Sequence, residues 1–443
     1  MRILLVQSYL GRKEKAIYPL GLAYLAAYLK HHQVKAIDPN VLDNPLQELK
    51  QEIATFAPEL VGVSLRNLDT TKIIDPYVYL TGFGQTLEAI KASAPQAGLI
   101  VGGSGFSIYA KELMNLYPYI DAGVFLEAED TMVEVADNWG AHNQVKGLFL
   151  REGSEVRFTG RREFRSIEEL PLPDWDTVPV TPYIRLLDAV GVQTKRGCGL
   201  KCAYCNYPFL NGASYRFRTV ESVGEEIAKL ATDYGAERFI FVDSVFNVPR
   251  EYCEKIMLEI IRRRLKIKWT GWFNERFFDR ELLELALQAG CEFFSFSPDG
   301  FADHTLKALG KNIRKQDILR VYDLVRQYPQ VKVGYNFFLN PPQQTFMDLL
   351  KLMAFYFRVK WRFGRRLGGF LLESIRIEPD TPIFEIAVQE GYISRDQPLA
   401  ARNSRELRRL FYRPPKTGLL TAMQELISAL KRIKRKLKPV ALM

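Results

Sequence analysis

The chain has 443 residues, 47% hydrophobic and 25% charged, and a formal net charge of +10. It is too long for one ordinary hydrophobic core, so two or three domains are expected, and no window reaches the roughly 18 consecutive apolar residues that a spanning helix needs. Of the five cysteines three sit in one short motif; because Met1-Arg2 leads straight into the strand-like Ile3-Leu4-Leu5-Val6, no secretory signal and no disulfide scaffold are expected, and the reducing cytoplasm is the expected compartment.

From Met1 to about residue 145 short β-branched runs alternate with helical patterns. Strands are expected at Ile3 to Gln7, Val34 to Ile37, Leu60 to Ser64, Leu99 to Val101 and Ala122 to Phe125, with amphipathic stretches such as Leu20 to Lys30 between them. This rhythm predicts an α/β unit with a doubly wound parallel sheet. Ligands bind such sheets outside the carboxyl ends of the strands, which directs attention to two loops. One reads Ser64-Leu65-Arg66-Asn67-Leu68-Asp69, the other Gly102-Gly103-Ser104-Gly105-Phe106-Ser107. Glycines let a backbone approach a ligand closely and aim amides at a phosphate, although a loop of this composition is ordinary by itself, and Arg66 and Asp69 also suit a helix cap.

Residues 146–185 read as a small hairpin, Leu148 to Arg151 and Glu155 to Phe158, followed by a connector with Pro171, Pro173, Pro179 and Pro182. Proline favours an extended linker, and the domain boundary is expected within it. A second βα series fills residues 186–395. Its strands are expected at Val190 to Thr194, Phe239 to Val242, Lys268 to Trp272, Glu292 to Ser297, Lys332 to Leu339 and Ser374 to Ile377; Thr219 to Ala231 and Arg280 to Ala289 are among its helices.

Directly after the first of these strands come Cys198, Cys202 and Cys205, with Tyr204 before the last. Three thiolates in one loop can hold three irons of a 4Fe-4S cluster and leave the fourth open to a small molecule. Zinc would want a fourth ligand, and the nearby sequence offers neither histidine nor another cysteine. Cys253 and Cys291 sit in apolar patterns and read as inert core thiols.

The cysteine spacing with its aromatic resembles the radical S-adenosylmethionine (radical SAM) enzymes. Taken with the preceding α/β unit, the Arg-Asn-Leu-Asp strand end and the Gly-Gly-Ser-Gly-Phe-Ser turn, the chain to about Arg395 resembles the cobalamin-binding branch of that family, the class B methyltransferase-like enzymes. The resemblance implies a Rossmann-like cobalamin-binding domain, a partial (β/α)6 TIM-type barrel and a helical C-terminal extension. It implies cluster ligation by Cys198, Cys202 and Cys205, with SAM closing the open iron. Cobalamin is then expected near Ser64, Leu65, Arg66, Asn67 and Asp69, with Gly102, Gly103 and Ser104 around its nucleotide tail. SAM contacts are expected from Tyr204, Asp243, Ser244, Ser295, Ser297 and Asn336. The Asp-x-His-x-x-Gly motif is absent, and His31, His32, His142 and His304 lie outside suitable loops, so a histidine-off cobalamin is expected.

The implied activity is a cobalamin-dependent methyl transfer to an unactivated carbon of a small-molecule, natural-product or lipid substrate, with flavodoxin or ferredoxin as electron donor. A rearrangement or cyclisation using the same cofactors is the enzymatic alternative, and a non-catalytic cobalamin- or redox-responsive binding protein is the other. An RNA methylthiotransferase would need cysteines ahead of Cys198 for a second cluster, and there are none; nucleic acid is not expected as a partner. In residues 396–443, Ser404 to Tyr412 and Leu419 to Leu437 read as helices. The second sets Leu426, Leu430 and Ile433 against the basic run from Lys431 to Lys438. That face is expected to cover the barrel's open side, with peripheral contact to an anionic lipid surface as the alternative.

Overall fold

The computed structural model describes residues 1–413. Fifteen strands occur among them: β1 (Arg2–Gln7), β2 (Gln33–Ile37), β3 (Leu60–Ser64), β4 (Gly98–Gly102), β5 (Ala122–Val124), β6 (Leu148–Glu152), β7 (Glu155–Phe158), β8 (Gly191–Val192), β9 (Lys195–Arg196), β10 (Arg216–Phe217), β11 (Arg238–Phe241), β12 (Lys268–Phe273), β13 (Cys291–Asp299), β14 (Lys332–Phe338) and β15 (Leu367–Glu373).

The first sheet runs β2-β1-β3-β4-β5-β6-β7, parallel through β5, with the hairpin β6-β7 added antiparallel. Alternation along β1 sends Ile3 and Leu5 into one core and Leu4 and Val6 into the other, because successive side chains point to opposite faces. The helix Leu20–Tyr28 seals the first face with Leu22, Ala23 and Ala26, and the helix Leu80–Ser93 seals the second with Phe83, Leu87 and Ile90. Strand order reverses between β1 and β3, so the loops leaving them part and open a crevice at their carboxyl ends.

The proline-rich connector is irregular, as expected, but it is fastened down. Trp175, Val178, Val180 and Tyr183 are buried in the first core. Tyr18 Oη donates to the Val178 carbonyl at 2.9 Å, and Tyr183 Oη donates to Asp38 at 2.5 Å.

The second sheet is parallel throughout, in the order β15-β14-β13-β12-β11-β8, and is not closed. The antiparallel pair β9-β10 brackets the cysteine loop. Two strands differ from expectation. The first is shortened to Gly191–Val192, because the Thr194 amide is taken by the Asp243 carboxylate at 2.9 Å instead of a ladder carbonyl. The last is Leu367–Glu373 and not Ser374 to Ile377; in the latter segment Arg376 forms a bridge with Phe411, and Ile375 accepts from the Tyr412 amide at 2.8 Å. That bridge also ends the expected helix early, at Arg409. Residues from Ile375 to Tyr412 share a core with Leu4, Val63 and Leu99 of the first sheet. The expected helix Leu419 to Leu437 and its basic run lie outside the described residues. No helix among the described residues is long and apolar enough to cross a membrane.

Candidate functional site

The cysteine loop is fixed at both ends before any side chain is considered. The Cys198 amide donates to the Gly212 carbonyl at 3.0 Å, Ala203 N to Leu309 O at 2.9 Å, and Ile383 N to Ala203 O at 2.8 Å. Gly197 makes the entry possible: its φ is +86°, and a Cβ there would stand 2.0 Å from the Ser214 carbonyl oxygen. The three cysteines line one cleft of about 860 Å³ at the carboxyl ends of the barrel strands. Burial pushes the Cys205 thiol up to about 12 and raises that of Cys202. Such thiols give up their protons to a bound metal far more readily than to water.

Beneath the loop lies a charged network. Lys311 Nζ donates to Asp299 at 2.7 Å and to the Ser297 carbonyl at 2.7 Å, and Tyr204 Oη donates to the same Asp299 carboxylate. Burial opposes the lysine's charge, but Asp299, Cys202 and Glu275 together more than offset it and the pKa rises. Tyr204 also meets Phe338 edge-on, with ring centroids 4.8 Å apart. Its hydroxyl and ring are therefore committed to holding the loop, although it still lines the cleft.

The remaining expected SAM residues divide. Ser244, Ser297 and Asn336 line the cleft. Asp243 lines it too, but its oxygens accept from Thr194 N, Thr194 Oγ1 and Lys195 Nζ at 2.9, 2.6 and 3.0 Å, so this carboxylate locks β8 to β11. Ser295, two residues deeper on the same face of β13, does not belong to the cleft lining. Trp272 faces the cleft while Trp269 is core, donating from Nε1 to the Ala289 carbonyl at 2.8 Å.

Two cleft residues lacked any sequence signal. Glu275, which follows β12, is 1% exposed, and its Oε1 has no hydrogen-bond partner. Burial pushes its carboxyl up to about 8, against the pull of Lys311. Lys311 itself follows the left-handed Gly310, where a Cβ would lie 2.1 Å from the Lys201 carbonyl oxygen. That glycine's packing against the cysteine loop reveals Lys311, and the burial of Glu275 beside Lys311 reveals the carboxyl.

The first sheet supplies the other wall. Ser64, Arg66, Asn67, Gly103 and Ser104 line the central cleft, and Ser104 Oγ donates to the Arg66 carbonyl at 2.7 Å. Gly103, with φ +97°, sits so that a Cβ would be 2.7 Å from the Leu65 carbonyl oxygen. The Gly105 and Phe106 amides donate to that carbonyl at 2.9 and 3.4 Å, so these two amides bind the loops together and do not cradle a phosphate. Leu65 contributes this backbone contact, its side chain being buried. Asp69 departs from expectation: its buried carboxylate pairs with Arg376 at 3.2 Å and accepts from the Thr71 amide at 2.8 Å, away from both cavities. The candidate carboxylate at 69 and the guanidinium at 376 satisfy each other across the two units.

A second cavity of about 310 Å³ opens between the helix Leu20–Tyr28 and the sheet, sharing Ser64, Gly103, Gln193 and Asn211 with the central cleft. Its floor is apolar and is opened by Gly62 and Gly102, where a Cβ would come within 3.3 Å of Leu5 and 3.5 Å of Val124. Arg196, Glu129 and Glu127 form its rim; Arg196 pairs with Glu129 at 2.5 Å, and Glu127 with Arg216 at 2.5 Å. A glycine-floored slot continuous with a larger cleft fits a flat macrocycle with a trailing arm. No histidine lines either cavity: His31 and His32 meet Asp137, His142 stacks on Trp139, and His304 meets Asp348.

Fold and site together define a two-cofactor scaffold, in which a flavodoxin-like sheet faces the mouth of a partial barrel. Residues 9–136 match the B12 binding domain and residues 192–355 the radical SAM superfamily. A methyltransferase of Pyrococcus horikoshii, itself uncharacterised, is 28% identical over 336 residues, covering 74% of this chain and 70% of that protein. The anaerobic magnesium-protoporphyrin IX monomethyl ester cyclase of Cereibacter sphaeroides is 27% identical, covering 70% of this chain and 51% of that one. The chain thus spans between half and seven-tenths of these relatives. The fold is shared with the radical SAM methyltransferase TsrM of Kitasatospora setae, solved with tryptophan and a SAM analogue, at a TM-score of 0.80 and 20% identity, covering 97% of this chain and 89% of that one. The chain belongs to the cobalamin-binding radical SAM family, whose cofactors are a 4Fe-4S cluster, SAM and cobalamin.

Proposed function

We propose that this enzyme transfers a methyl group from SAM, by way of cobalamin, to an unactivated carbon of a small-molecule, natural-product or lipid substrate. When bound, the cluster and SAM supply a carbon-centred radical and the cobalamin supplies the methyl group; the protein's share is to hold, orient and exclude. The observation that carries the reading is the single cleft lined both by the three cysteines and by Ser64, Arg66, Asn67 and Ser104.

Cys198, Cys202 and Cys205 would hold three irons. Lys311, anchored on Asp299, lends positive charge beside Cys202 and favours its thiolate. Tyr204 keeps the loop seated. Ser244, Ser297 and Asn336 offer hydrogen bonds to SAM, and Asp243 serves by holding Lys195 and β8 in place. Ser64, Arg66 and Asn67 would border a bound corrin, and Gly102, Gly103 and Ser104 the start of its tail. Among the described residues the Arg66 side chain has no ion-pair partner, and its charge suits an amide or phosphate oxygen. Neither lining would offer an imidazole to a bound cobalamin, so the histidine-off form is the one proposed. A flavodoxin or ferredoxin is the proposed reductant, the cytoplasm the proposed compartment, and residues 1–145, 146–185, 186–395 and 396–443 the proposed division of the chain. The basic C-terminal segment is assigned to covering the barrel's open side, with lipid contact as its second reading.

A cyclisation remains the second reading, because one relative named above is a cyclase. Anaerobic reconstitution followed by quantitation of methionine, 5'-deoxyadenosine and S-adenosylhomocysteine tests between them. Methyl transfer gives all three; product formed without S-adenosylhomocysteine rejects it.

A further inference from the structure

The helix Phe346–Phe363 carries two apolar faces where a surface helix needs one. Leu349, Leu352, Phe355, Val359 and Phe363 are buried against the barrel. On the opposite side Met347 is 55% exposed, Leu350 40%, Phe357 60% and Trp361 81%. With the exposed Ala354, these positions step by three and four, which places them in one continuous stripe along the helix. Exposed aromatic side chains in a stripe mark a contact surface, whereas singly scattered ones do not.

The flanks of the stripe are basic. Lys351, Arg358, Lys360, Arg362 and the following Arg365 are all exposed, and among the described residues none of them is in an ion pair. The helix's one acid, Asp348, is turned inward, bonded to Thr345 and to His304 at 2.6 and 2.9 Å. The end of the described chain converges on the same region, since Asn340, six residues before the helix, donates through its Nδ2 to the Tyr412 carbonyl. The sequence beyond that point holds Lys416, Lys431, Arg432, Lys434, Arg435, Lys436 and Lys438 against a single acid, Glu425. Like charge opposes laying that segment over the basic helix, and it equally opposes stacking two copies of the helix face to face. A surface that is both anionic and apolar beneath accommodates both features.

We infer that the outer face of the helix Phe346–Phe363 is a docking surface for an anionic lipid bilayer, with Trp361 and Phe357 entering the headgroup boundary and the five cations meeting lipid phosphates. The helix lies in the membrane plane and does not span it.

The test uses the 443-residue protein with its cluster reconstituted, and vesicles of phosphatidylcholine with or without phosphatidylglycerol. Wild type sediments with the phosphatidylglycerol vesicles only, is released as salt is raised, and shows a blue shift in tryptophan emission. Phe357→Ser/Trp361→Ser weakens binding by about ten-fold or more, from the apolar area lost, with iron content unchanged. Three results overturn the inference. Wild type that ignores the anionic vesicles removes the lipid. Variant binding equal to wild type moves any lipid contact to the basic segment. A wild-type dimer that the double substitution converts to a monomer, or faster hydrogen exchange in residues 419–437 of the variant without vesicles, gives the stripe to a second copy or to the chain itself.

Discussion

Glu275 is the residue whose chemistry is most at odds with its surroundings, a carboxyl sealed beside Lys311 with one oxygen unpartnered. Its proton is released near pH 4.5 in the unfolded chain and near pH 8 in the folded one. The native state therefore binds more protons between those values, and the carboxyl lowers stability progressively as pH rises through that window. Glu275→Gln removes the titration, so its stability gains on wild type from pH 5 to pH 8 by an amount on the order of a few kcal/mol, and its melting temperature gains with it. Thermal scans at the two pH values check it; equal differences at both would contradict it. At the same scale, replacing Cys198, Cys202 and Cys205 with Ala abolishes the cluster's visible absorption and iron content. Replacing the buried Cys253 and Cys291 leaves both in place and costs only packing. The cysteines were legible because their chemistry lies in spacing. Glu275 and Lys311 were not, because their character comes from what folds around them.

Among the elements, the Gly102-Gly103 turn was legible as a close approach, and its partner turned out to be protein: the Leu65 carbonyl. Gly103→Ala forces a Cβ into that contact at positive φ. It destabilises the fold by about 1–3 kcal/mol and weakens cobalamin retention on gel filtration, whereas Gly153→Ala, also at positive φ but with no atom within 4 Å, pays only the backbone strain. Retention unchanged in Gly103→Ala would remove the turn from the cobalamin site. The strand β15 was illegible for a related reason. Gly368-Gly369 reads as a break, yet at Gly334 and Gly368 a Cβ would meet the Phe293 ring at 2.8 and 2.3 Å. The glycines are there to admit an aromatic from a neighbouring strand, and no local pattern carries that information.

Across the whole molecule the two sheets were both expected, but their fastening was not. Asp69, a candidate ligand by its place in the chain, and Arg376 pair at 3.2 Å while almost fully buried. Such a pair is worth little in itself but is costly to break. Arg376→Ala is expected to lower stability by about 3–5 kcal/mol through the carboxylate left behind, and Asp69→Asn in that background restores part of it. Urea titration of the cofactor-free protein measures both; a single variant as stable as wild type would show that the pair does not join the units. This fastening places the cluster loop and the first sheet's crevice around one cleft, which is the feature on which methyl transfer depends.

The most direct test follows a labelled methyl group. The reconstituted protein, loaded with cobalamin and kept reduced, is given SAM with a trideuterated methyl group, and the bound cobalamin is analysed by mass spectrometry. Methyl transfer predicts trideuteromethylcobalamin together with an equivalent of S-adenosylhomocysteine. Unlabelled cobalamin accompanied by 5'-deoxyadenosine alone would contradict it and mark the enzyme as one that rearranges or cyclises its substrate.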